Sequence, residues 1–319
     1  MAVKYTLIES NTTDIPGAAA TTINRGVNCP GGGIDELIFR FTTANTTNAI
    51  LADFGNIVSS MRIVLNGSTV FDFRSGYASA SNNAASSFGY FLNSLGHGRA
   101  VEVPGDTAKE AFFRIPIGRN VPAGVSRVEY TIGFAATAAA VASGTCQLWV
   151  RYNDNFQTTT TIANATSFTA SGTTEQVVVR MPQGVPGTLA GLYIQNDSAA
   201  DEVTQVRIIS QSDFDIPLDM VRAFNGDLMN GVVYADDDIS GTAQQFAISS
   251  VGNLFLPTFG LTLDDDVRLT VTTSAATTLT FTPCITSPVN GQGELVGRQT
   301  QPVVTNVASS VLDATTESA

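Results

Sequence analysis

Hydrophobic and polar residues alternate along most of this chain, which is the pattern of β-strands with one face in a core and one in solvent. Leu37, Phe39 and Phe41 fall on one side of such a strand. The same alternation recurs in Val128–Phe134 and in Cys146–Tyr152, and turn sequences rich in Gly, Pro and Asn separate the alternating segments. The pattern therefore predicts an all-β protein built from short strands.

Two segments have helical spacing instead. In residues 76–96 the apolar positions Phe88, Phe91, Leu92 and Leu95 recur at helical intervals, and Gly96 fits the end of a helix. In residues 215–230 the pattern repeats, with these apolar residues: Ile216, Leu218, Val221, Phe224 and Leu228. Each segment is predicted to form a short helical insertion.

The strand segments of the first part of the chain are echoed in the same order about 140 residues later, which is too long a period for a solenoid of ~20–50-residue repeats. The helical segments lie between the second and third echo of their own half. The sequence therefore predicts two copies of one whole domain. The echoes are Leu37–Phe41 with Val177–Met181, Met61–Val64 with Val206–Ile209, Phe113–Pro116 with Leu254–Pro257, Val128–Ile132 with Val267–Val271, and Cys146 with Cys284.

About eight strands and one helix in each copy favour two tandem eight-stranded jelly rolls over an immunoglobulin-like sandwich or an up-and-down barrel. A helix inserted midway fits the two alternatives less well. The expected jelly rolls are residues 34–155 and 174–295. Thr- and Ser-rich residues 156–173 are expected to form a linker or protruding loop, and residues 1–33 and 296–319 to form terminal arms.

Composition narrows the range of partners. The net charge is −12, with 16 basic residues scattered along the chain, whereas nucleic-acid binding depends on clustered Lys and Arg. Direct nucleic-acid binding is therefore not expected. Charged residues make up only 14% of the chain, and uncharged polar side chains are easier to bury against neighbouring molecules.

Cysteine usage and hydropathy give the expected cell compartment. Cys29, Cys146 and Cys284 show no disulfide framework, and the last two lie in apolar strand segments, so they are expected to be small buried residues. The start of the sequence has no apolar signal region, and no apolar run approaches the ~20 residues of a membrane span. Synthesis and folding in the cytosol are expected.

Candidate chemistry is sparse, and no catalytic, cofactor-binding or metal-binding residue is predicted. His97, the single histidine, lies in a Gly-rich turn without partner ligands. Asp236–Asp238 begins like a calcium loop but has Ala247 where the bidentate Glu belongs, so a calcium site of another kind, there or at Asp264–Asp266, is left open.

Two further observations concern surfaces and carboxylates. Trp149 lies on an otherwise polar strand face, where it is either an interface anchor or a core residue, and we expect a core residue. Carboxylates available for glycoside hydrolysis have no evident pairing in the sequence. They are Glu102, Asp106, Glu110, Glu129 and Glu175.

The repeat, the paired helical insertions and the flanking polar segments resemble the double jelly-roll major capsid proteins of tailless icosahedral viruses with an internal membrane, in particular the compact bacteriophage type. The resemblance covers about residues 34–295 and includes no signature motif. It implies a homotrimer whose six jelly rolls form a pseudo-hexameric tile of a virion shell, with neighbouring trimers and minor capsid or penton proteins as partners. It further implies that Lys4 and Arg25 in the N-terminal arm contact lipid headgroups peripherally.

Two other classes remain as alternatives. The first is a carbohydrate-binding or adhesive β-sandwich, such as a spike, lectin or surface-layer protein, which needs an exposed aromatic platform or calcium. The second is a jelly-roll glycosidase or lyase, which the absence of a visible catalytic constellation disfavours.

Overall fold

The computed structural model describes the strands and most of the short turns between them. The described residues are 3–10, 21–43, 58–74, 88, 91–92, 99–103, 109–122, 126–134, 144–153, 158–162, 166–181, 187–196, 203–209, 214–216, 253–262 and 267–288. Every continuous element among them is a β-strand.

The first half of the chain forms two facing antiparallel sheets. One has the order β1-β9-β3-β7-β6, and the other layer has the order β2-β8-β4-β5. The strands are β1 (Lys4–Ser10), β2 (Thr21–Cys29), β3 (Gly32–Thr43), β4 (Val58–Leu65), β5 (Ser68–Arg74), β6 (Arg99–Val103), β7 (Lys109–Val121), β8 (Ser126–Phe134) and β9 (Gly144–Tyr152).

The second half repeats this arrangement. One layer has the order β16-β13-β18-β10, with β11 also paired to β18, and the other has the order β12-β17-β14-β15. The strands are β10 (Thr158–Ile162), β11 (Thr166–Thr169), β12 (Thr174–Val179), β13 (Thr188–Asn196), β14 (Val203–Ile209), β15 (Phe214–Ile216), β16 (Asn253–Thr262), β17 (Val267–Thr273) and β18 (Thr278–Pro288).

The two strand orders superimpose one to one. The layer β1-β9-β3-β7 corresponds to β10-β18-β13-β16, and the layer β2-β8-β4-β5 corresponds to β12-β17-β14-β15. Two four-stranded layers connected in this order make a jelly roll. The predicted fold class, two tandem jelly rolls, is therefore confirmed.

Four of the five sequence echoes fall on corresponding strands. Two of these echoes also agree in strand register. Met61 of β4 pairs with Ile132 of β8, and their echoes Val206 of β14 and Val271 of β17 pair with each other in the same way. The remaining echo, between Leu37–Phe41 and Val177–Met181, is wrong. It joins β3 to β12, whereas β3 corresponds to β13, and short alternating runs look alike wherever they occur.

The cysteine echo joins corresponding strands at different positions. Arg151 pairs with Glu36 on β3, and Cys284 pairs with Gly191 on β13. Since β3 corresponds to β13, Cys284 corresponds to Arg151 and not to Cys146.

An irregularity in β3 and β13 fixes this correspondence. Each strand carries a one-residue register shift against its neighbour β9 or β18, between Ile34 and Glu36 and between Leu189 and Gly191. Directly after the shift, Glu36 pairs with Pro116 and Gly191 pairs with Pro257. A bulge changes which face the following side chains occupy. Two bulges at matching positions, each opposite a proline, allow positions to be equated residue by residue.

Two segments expected to flank the sandwiches contribute strands to them. Residues 1–33, expected to be an arm, contain β1 and β2, which pair with β9 and β8. Residues 156–173, expected to be a linker, contain β10 and β11, which pair with β18. Threonine favours extended pairing on a pleated surface, so a Thr-rich stretch is as compatible with a strand as with a loop. Residues 296–319 lie outside the described residues.

The first helical segment is described at three positions. Phe88, Phe91 and Leu92 have helical backbone conformation and are fully buried. The rings of Phe88 and Phe91 cover Phe71 and Phe73 of β5, with Phe73 stacked on Phe91 at a centroid distance of 5.0 Å. In the second segment, residues 217–230 lie outside the described residues, and Ile216 ends β15.

The described residues form two apolar core clusters. One lies in the first half and also includes Ile162, Tyr193, Phe255 and Cys284 of the second half. The other lies wholly within the second half. All three cysteines are free and buried, as predicted for Cys146 and Cys284. No helix in the described part of the chain is long and apolar enough to cross a membrane.

Candidate functional site

One sheet face of the second half rests on the first half. Tyr193 of β13 is fully buried, and its ring lies 4.8 Å from that of Phe91 and 6.4 Å from that of Phe73. Ile162 of β10 pairs with Phe71 of β5, which joins a sheet of each half into one continuous sheet. The two halves are therefore connected through packing and through the sheet.

The rest of this covered face is almost entirely apolar or uncharged. Phe255 and Cys284 are 4% and 2% exposed and belong to the core cluster of the first half. Gly191 between them has no room for a side chain, because a Cβ atom there would collide with the Phe255 ring. At the rim, Arg119 Nη2 of β7 donates a hydrogen bond to Thr161 Oγ1 at 2.9 Å.

The corresponding face of the first half, the face of its β1-β9-β3-β7 layer that points away from its own core, carries no strand of the second half among the described residues, and Glu36 and Ile38 at its centre are 7% and 8% exposed. We call it the first outward face. Tyr5 and Leu7 are 53% and 40% exposed, and Trp149 and Phe112 are partly exposed. Its residues are Tyr5, Leu7, Glu36, Ile38, Arg40, Phe112, Arg114, Gln147, Trp149 and Arg151.

Charged side chains form a compact cluster at the centre of the first outward face. Arg114 donates to both carboxylate oxygens of Glu36, with Nε to Oε2 at 2.9 Å, and Nη2 to Oε1 at 2.9 Å and to Oε2 at 2.7 Å. Arg151 Nη1 donates to Glu36 Oε1 at 2.9 Å and lies 3.2 Å from Asp35 Oδ2. Two guanidinium groups and two carboxylates thus neutralise one another. Such bidentate, charge-assisted bonds are among the stronger ones in proteins.

The charged cluster occupies the positions that hold Gly191, Phe255 and Cys284 on the covered face of the second half. By strand register, Glu36 corresponds to Gly191 and Arg151 to Cys284. Pro116, the partner of Glu36, aligns with Pro257, the partner of Gly191. Arg114 lies two residues before Pro116 and Phe255 two residues before Pro257, so Arg114 corresponds to Phe255. The face that is buried inside the chain carries an aromatic ring over a glycine, and the face that is open to solvent carries an ion cluster at the same positions.

An aromatic and amide group flanks the ion cluster. Arg40 Nη1 and Trp149 Nε1 both donate to Gln147 Oε1, at 3.0 and 3.3 Å. The Arg40 guanidinium lies 5.9 Å from the centre of the Phe112 ring, within range of a cation–π interaction. Trp149 therefore lies on the outward face, and the prediction that it is a core residue is wrong.

The two basic residues expected in an N-terminal arm lie in strands. Lys4 begins β1, and Arg25 of β2 lies 3.9 Å from Glu9. Glu9 also accepts a hydrogen bond from the Tyr130 hydroxyl at 2.8 Å. Other arginines of the described residues have acidic neighbours as well, including Arg74 beside Asp72 and Arg127 beside Glu129.

Burial raises the pKa values of two cysteine thiols and one tyrosine hydroxyl. It raises the pKa of the Cys29 thiol and of the fully buried Cys284 thiol, so both remain protonated at neutral pH. Burial and the nearby Cys29 raise the pKa of Tyr152 to about 12. The Tyr152 hydroxyl donates to the carbonyl oxygen of Pro30 at 2.8 Å, which fixes the turn between β2 and β3.

The structure does not bring the sequence candidates together. His97, Asp236–Asp238 and Asp264–Asp266 lie outside the described residues. Glu129 pairs with Arg127 on β8, and Glu175 accepts hydrogen bonds from Ser171 and Gly172, which lower its pKa. Within the described ranges, no group of His, Cys, Asp and Glu residues is arranged to hold a metal ion.

Sequence reasoning missed the ion cluster of the first outward face. Glu36, Arg114 and Arg151 come from three strands far apart in sequence, so no local spacing joins them. A usable signal was present: each is a charged residue at a strand position opposite to the apolar side. The identity of the partner strands was needed to see that the three meet.

Comparison with solved structures supports the double jelly-roll fold. The chain is similar to one from the Sulfolobus Turreted Icosahedral Virus, with a TM-score of 0.54 and 10% identity over 89% of this chain and 90% of that one. It is also similar to a chain of the PBCV-1 virus capsid (TM-score 0.49, 9% identity, 93% and 97% covered). A third is the major capsid protein P2 of bacteriophage PM2 (TM-score 0.45, 12% identity, 93% and 99% covered).

No protein-family model matches the sequence, and no curated protein matches it. At such low identities the structural similarity establishes the fold, and the function has to be argued from the molecule.

Proposed function

We propose that this chain is the major capsid protein of an icosahedral virus, a structural protein without enzymatic activity. The observation that carries the proposal is the doubled jelly roll in which one half docks on the other through a single sheet face. That arrangement leaves the equivalent face of the first half open, as expected of a molecule whose remaining contacts are made with copies of itself. The chain covers nine-tenths of a virus chain of the same fold.

The assembled unit in this proposal is a homotrimer. Three chains with two jelly rolls each supply six similar blocks, so a three-fold molecule fills six-coordinated positions of a closed shell. A permanent interface of this kind buries more than ~2,000 Å² in total. The surface chemistry is compatible, since five arginines of the described residues lie beside carboxylates, which reduces the positive charge that binding to a genome requires. They are Arg25, Arg74, Arg114, Arg127 and Arg151.

The remaining parts of the proposal rest on the resemblance alone. They are the location of the shell over an internal membrane, contacts with minor capsid or penton proteins, and synthesis in the host cytoplasm before incorporation into the virion. Contact of Lys4 and Arg25 with lipid also stays a prediction, and it would be made by residues of β1 and β2 instead of an extended arm.

The mass of the purified protein in solution tests the proposal. We expect trimers by sedimentation velocity at micromolar concentration, and closed or curved sheets by electron microscopy when the protein is concentrated. A monomer at all concentrations, with no ordered assemblies, would contradict it. A glycan array run in parallel tests the adhesive alternative, for which specific binding by a monomer is the expected sign.

A further inference from the structure

We propose that the contact between the two halves encloses an ordered water site, in which the side chains of Gln195 and Thr282 bind at least one water molecule. The site lies within one chain, so it goes beyond the proposed capsid role and does not depend on assembly. It is inferred from two buried polar side chains that lack a protein partner, and from the residues at the corresponding positions of the first half.

Gln195 and Thr282 lie on the covered face of the second half. Tyr193, whose ring packs on the first half, pairs with Thr282 of β18, and Gln195 lies two residues after Tyr193 on β13. Because alternate residues of a strand share a face, the three side chains point to the same side of the sheet. Gln195 and Thr282 are diagonal neighbours on paired strands, about 7–8 Å apart, which is within reach of a long side chain.

Both side chains are fully buried without a hydrogen-bond partner. Gln195 and Thr282 are each 0% exposed. Among the described residues, no group bonds to the Gln195 amide, at either Nε2 or Oε1, or to the Thr282 hydroxyl. A buried polar group without a partner destabilises a fold, and most such groups in proteins bond to protein atoms or to ordered water. A whole amide and a neighbouring hydroxyl therefore need a partner that the described residues do not supply.

The corresponding positions of the first half have protein partners. By strand register, Gln195 corresponds to Arg40, and Thr282 corresponds to Trp149. Arg40 and Trp149 both donate to Gln147 Oε1, so the three side chains form one hydrogen-bonded group. At these positions of the first half, one central acceptor satisfies both donors.

The second half has a different residue in place of that central acceptor. Thr280 pairs with Gln195 as Gln147 pairs with Arg40, so Thr280 corresponds to Gln147. A threonine side chain is shorter than a glutamine side chain, and the Thr280 hydroxyl is hydrogen-bonded to Ser167 Oγ of β11 at 3.2 Å. The described part of the second half therefore lacks the group that would join Gln195 to Thr282.

Water is the occupant that this chemistry fits. The amide supplies donors and an acceptor, the hydroxyl supplies either, and a buried water molecule typically makes about three hydrogen bonds to such groups. An ion fits poorly, because Gln195 and Thr282 carry no charge to oppose its own. The neighbours Tyr193 and Cys284 are uncharged as well, since burial raises the pKa of the Cys284 thiol.

The water site adds directional bonds to the contact between the halves. The apolar side chains of the covered face, such as Phe255, stabilise the contact by excluding water, and this effect has no preferred direction. Hydrogen bonds to an enclosed water hold the Gln195 amide and the Thr282 hydroxyl in one arrangement. The contact is therefore apolar around Phe255 and Cys284 and hydrated beside Gln195.

A crystal structure of the full-length wild-type protein, at a resolution that shows ordered water, tests the site directly. We expect a water molecule about 2.7–3.2 Å from both the Gln195 amide and the Thr282 hydroxyl. An empty space at this place would overturn the proposal, and so would a protein group bonded to both side chains. The same experiment decides the question if a variant of the site does not fold.

Two substitutions that nearly preserve shape test the site in solution. Gln195→Met and Thr282→Val each remove one of the polar groups that hold the water. We expect each variant to raise the equilibrium constant for unfolding about fivefold, measured by chemical denaturation at one protein concentration. The double variant should raise it by clearly less than the product of the two effects, because both groups act through the same water.

The sign of the effect separates a hydrated site from a dry one. In a dry site, Gln195→Met would remove an unpaired amide from an apolar contact and lower the equilibrium constant for unfolding. That sign would overturn the proposal, as would two effects that multiply in the double variant. Gln205→Met, at an exposed position of β14, is the matched control and should change the constant by less than about twofold.

Discussion

The two halves of this protein present the same sheet face in opposite situations. In the second half the face is buried against the first half, and positions 191, 255 and 284 hold glycine, phenylalanine and cysteine. In the first half the face is open, and the corresponding positions hold Glu36, Arg114 and Arg151. The strand framework is common to both halves. The halves differ in whether this face contacts solvent or the other half, and the three positions are apolar where the face is covered and charged where it contacts solvent.

The largest loss of stability is expected from removing a side chain that packs the covered face of the second half against the first half. Tyr193→Ala removes a fully buried ring that contacts Phe73 and Phe91, and should lower the free energy of unfolding by about 3–5 kcal/mol. Because the ring joins the two halves, we expect the single melting transition to separate into two. Calorimetry measures both effects. Ile38→Ala, at the corresponding position of the first half, is the matched control and should leave one transition, because the Ile38 side chain, 8% exposed, lies on the first outward face. Two transitions in both variants would contradict the assignment.

The next effect concerns the ion cluster. Glu36→Ala leaves Arg114 and Arg151 without their shared acceptor, and should cost about 2–3 kcal/mol, less than a fully buried pair because both arginines are partly exposed. Urea unfolding at protein concentrations at which the chain is monomeric measures this cost separately from assembly. Glu129→Ala, which removes the partner of an exposed arginine, should cost less than about 1 kcal/mol. A cost as small for Glu36→Ala would show that the cluster does not stabilise the fold.

A smaller effect tests why position 191 is a glycine. Gly191→Ala places a methyl group against the Phe255 ring and should cost about 1–2 kcal/mol, because the ring can shift only within a packed interface. Combining Gly191→Ala with Phe255→Leu should recover part of the loss, which chemical denaturation can measure. If Gly191→Ala is neutral alone, the ring is not confined as described.

The smallest effect on stability is expected at Tyr152, which follows Arg151 on β9. Tyr152 corresponds to Ile285, which follows Cys284 on β18. The pKa of Tyr152 is raised to about 12, above its ordinary value of about 10, so the fold favours the protonated phenol. Its contribution to stability is complete below pH 10 and is lost as the pH rises from 10 to 12.

Tyr152→Phe should therefore reduce the loss of stability between pH 10 and pH 12, at a cost of about 1 kcal/mol at neutral pH for the hydrogen bond to Pro30. Melting temperatures of both proteins across this range measure the difference. Tyr5→Phe, a change at an exposed tyrosine, is the control. Parallel curves for wild type and Tyr152→Phe would show that another group controls alkaline unfolding.

Much of the fold was predictable from the sequence. Strand alternation is visible within each short segment, and the internal repeat is visible when the two halves of the sequence are compared. The echoes at Met61–Val64 and Val128–Ile132 mark strands that pair in the same register as their counterparts. The echo at Leu37–Phe41 failed because its match was chosen by side-chain pattern, and only the bulge beside Glu36 identifies the true counterpart in β13.

The candidate site was not predictable in the same way. The role of Trp149 depends on which sheet face points away from the core and on whether another half covers it, and both are properties of the topology. The segments around β1 and β10 have a polar composition, which predicts an arm and a linker. They are the outermost strands of their own jelly rolls, and β10 also pairs with β5 of the first half. Threonine favours extended pairing, so a polar, Thr-rich composition is compatible with such strands.

The three free cysteines have a consequence for how this protein withstands a change of chemical surroundings. All of them are buried, and burial raises the pKa of Cys29 and Cys284, so little reactive thiolate is available to oxidants or metals. The covalent structure is therefore the same in reducing and oxidising media. A particle assembled from this chain inside a reducing cell would leave it without forming or exchanging disulfides, and its durability would depend on strand pairing and packing alone.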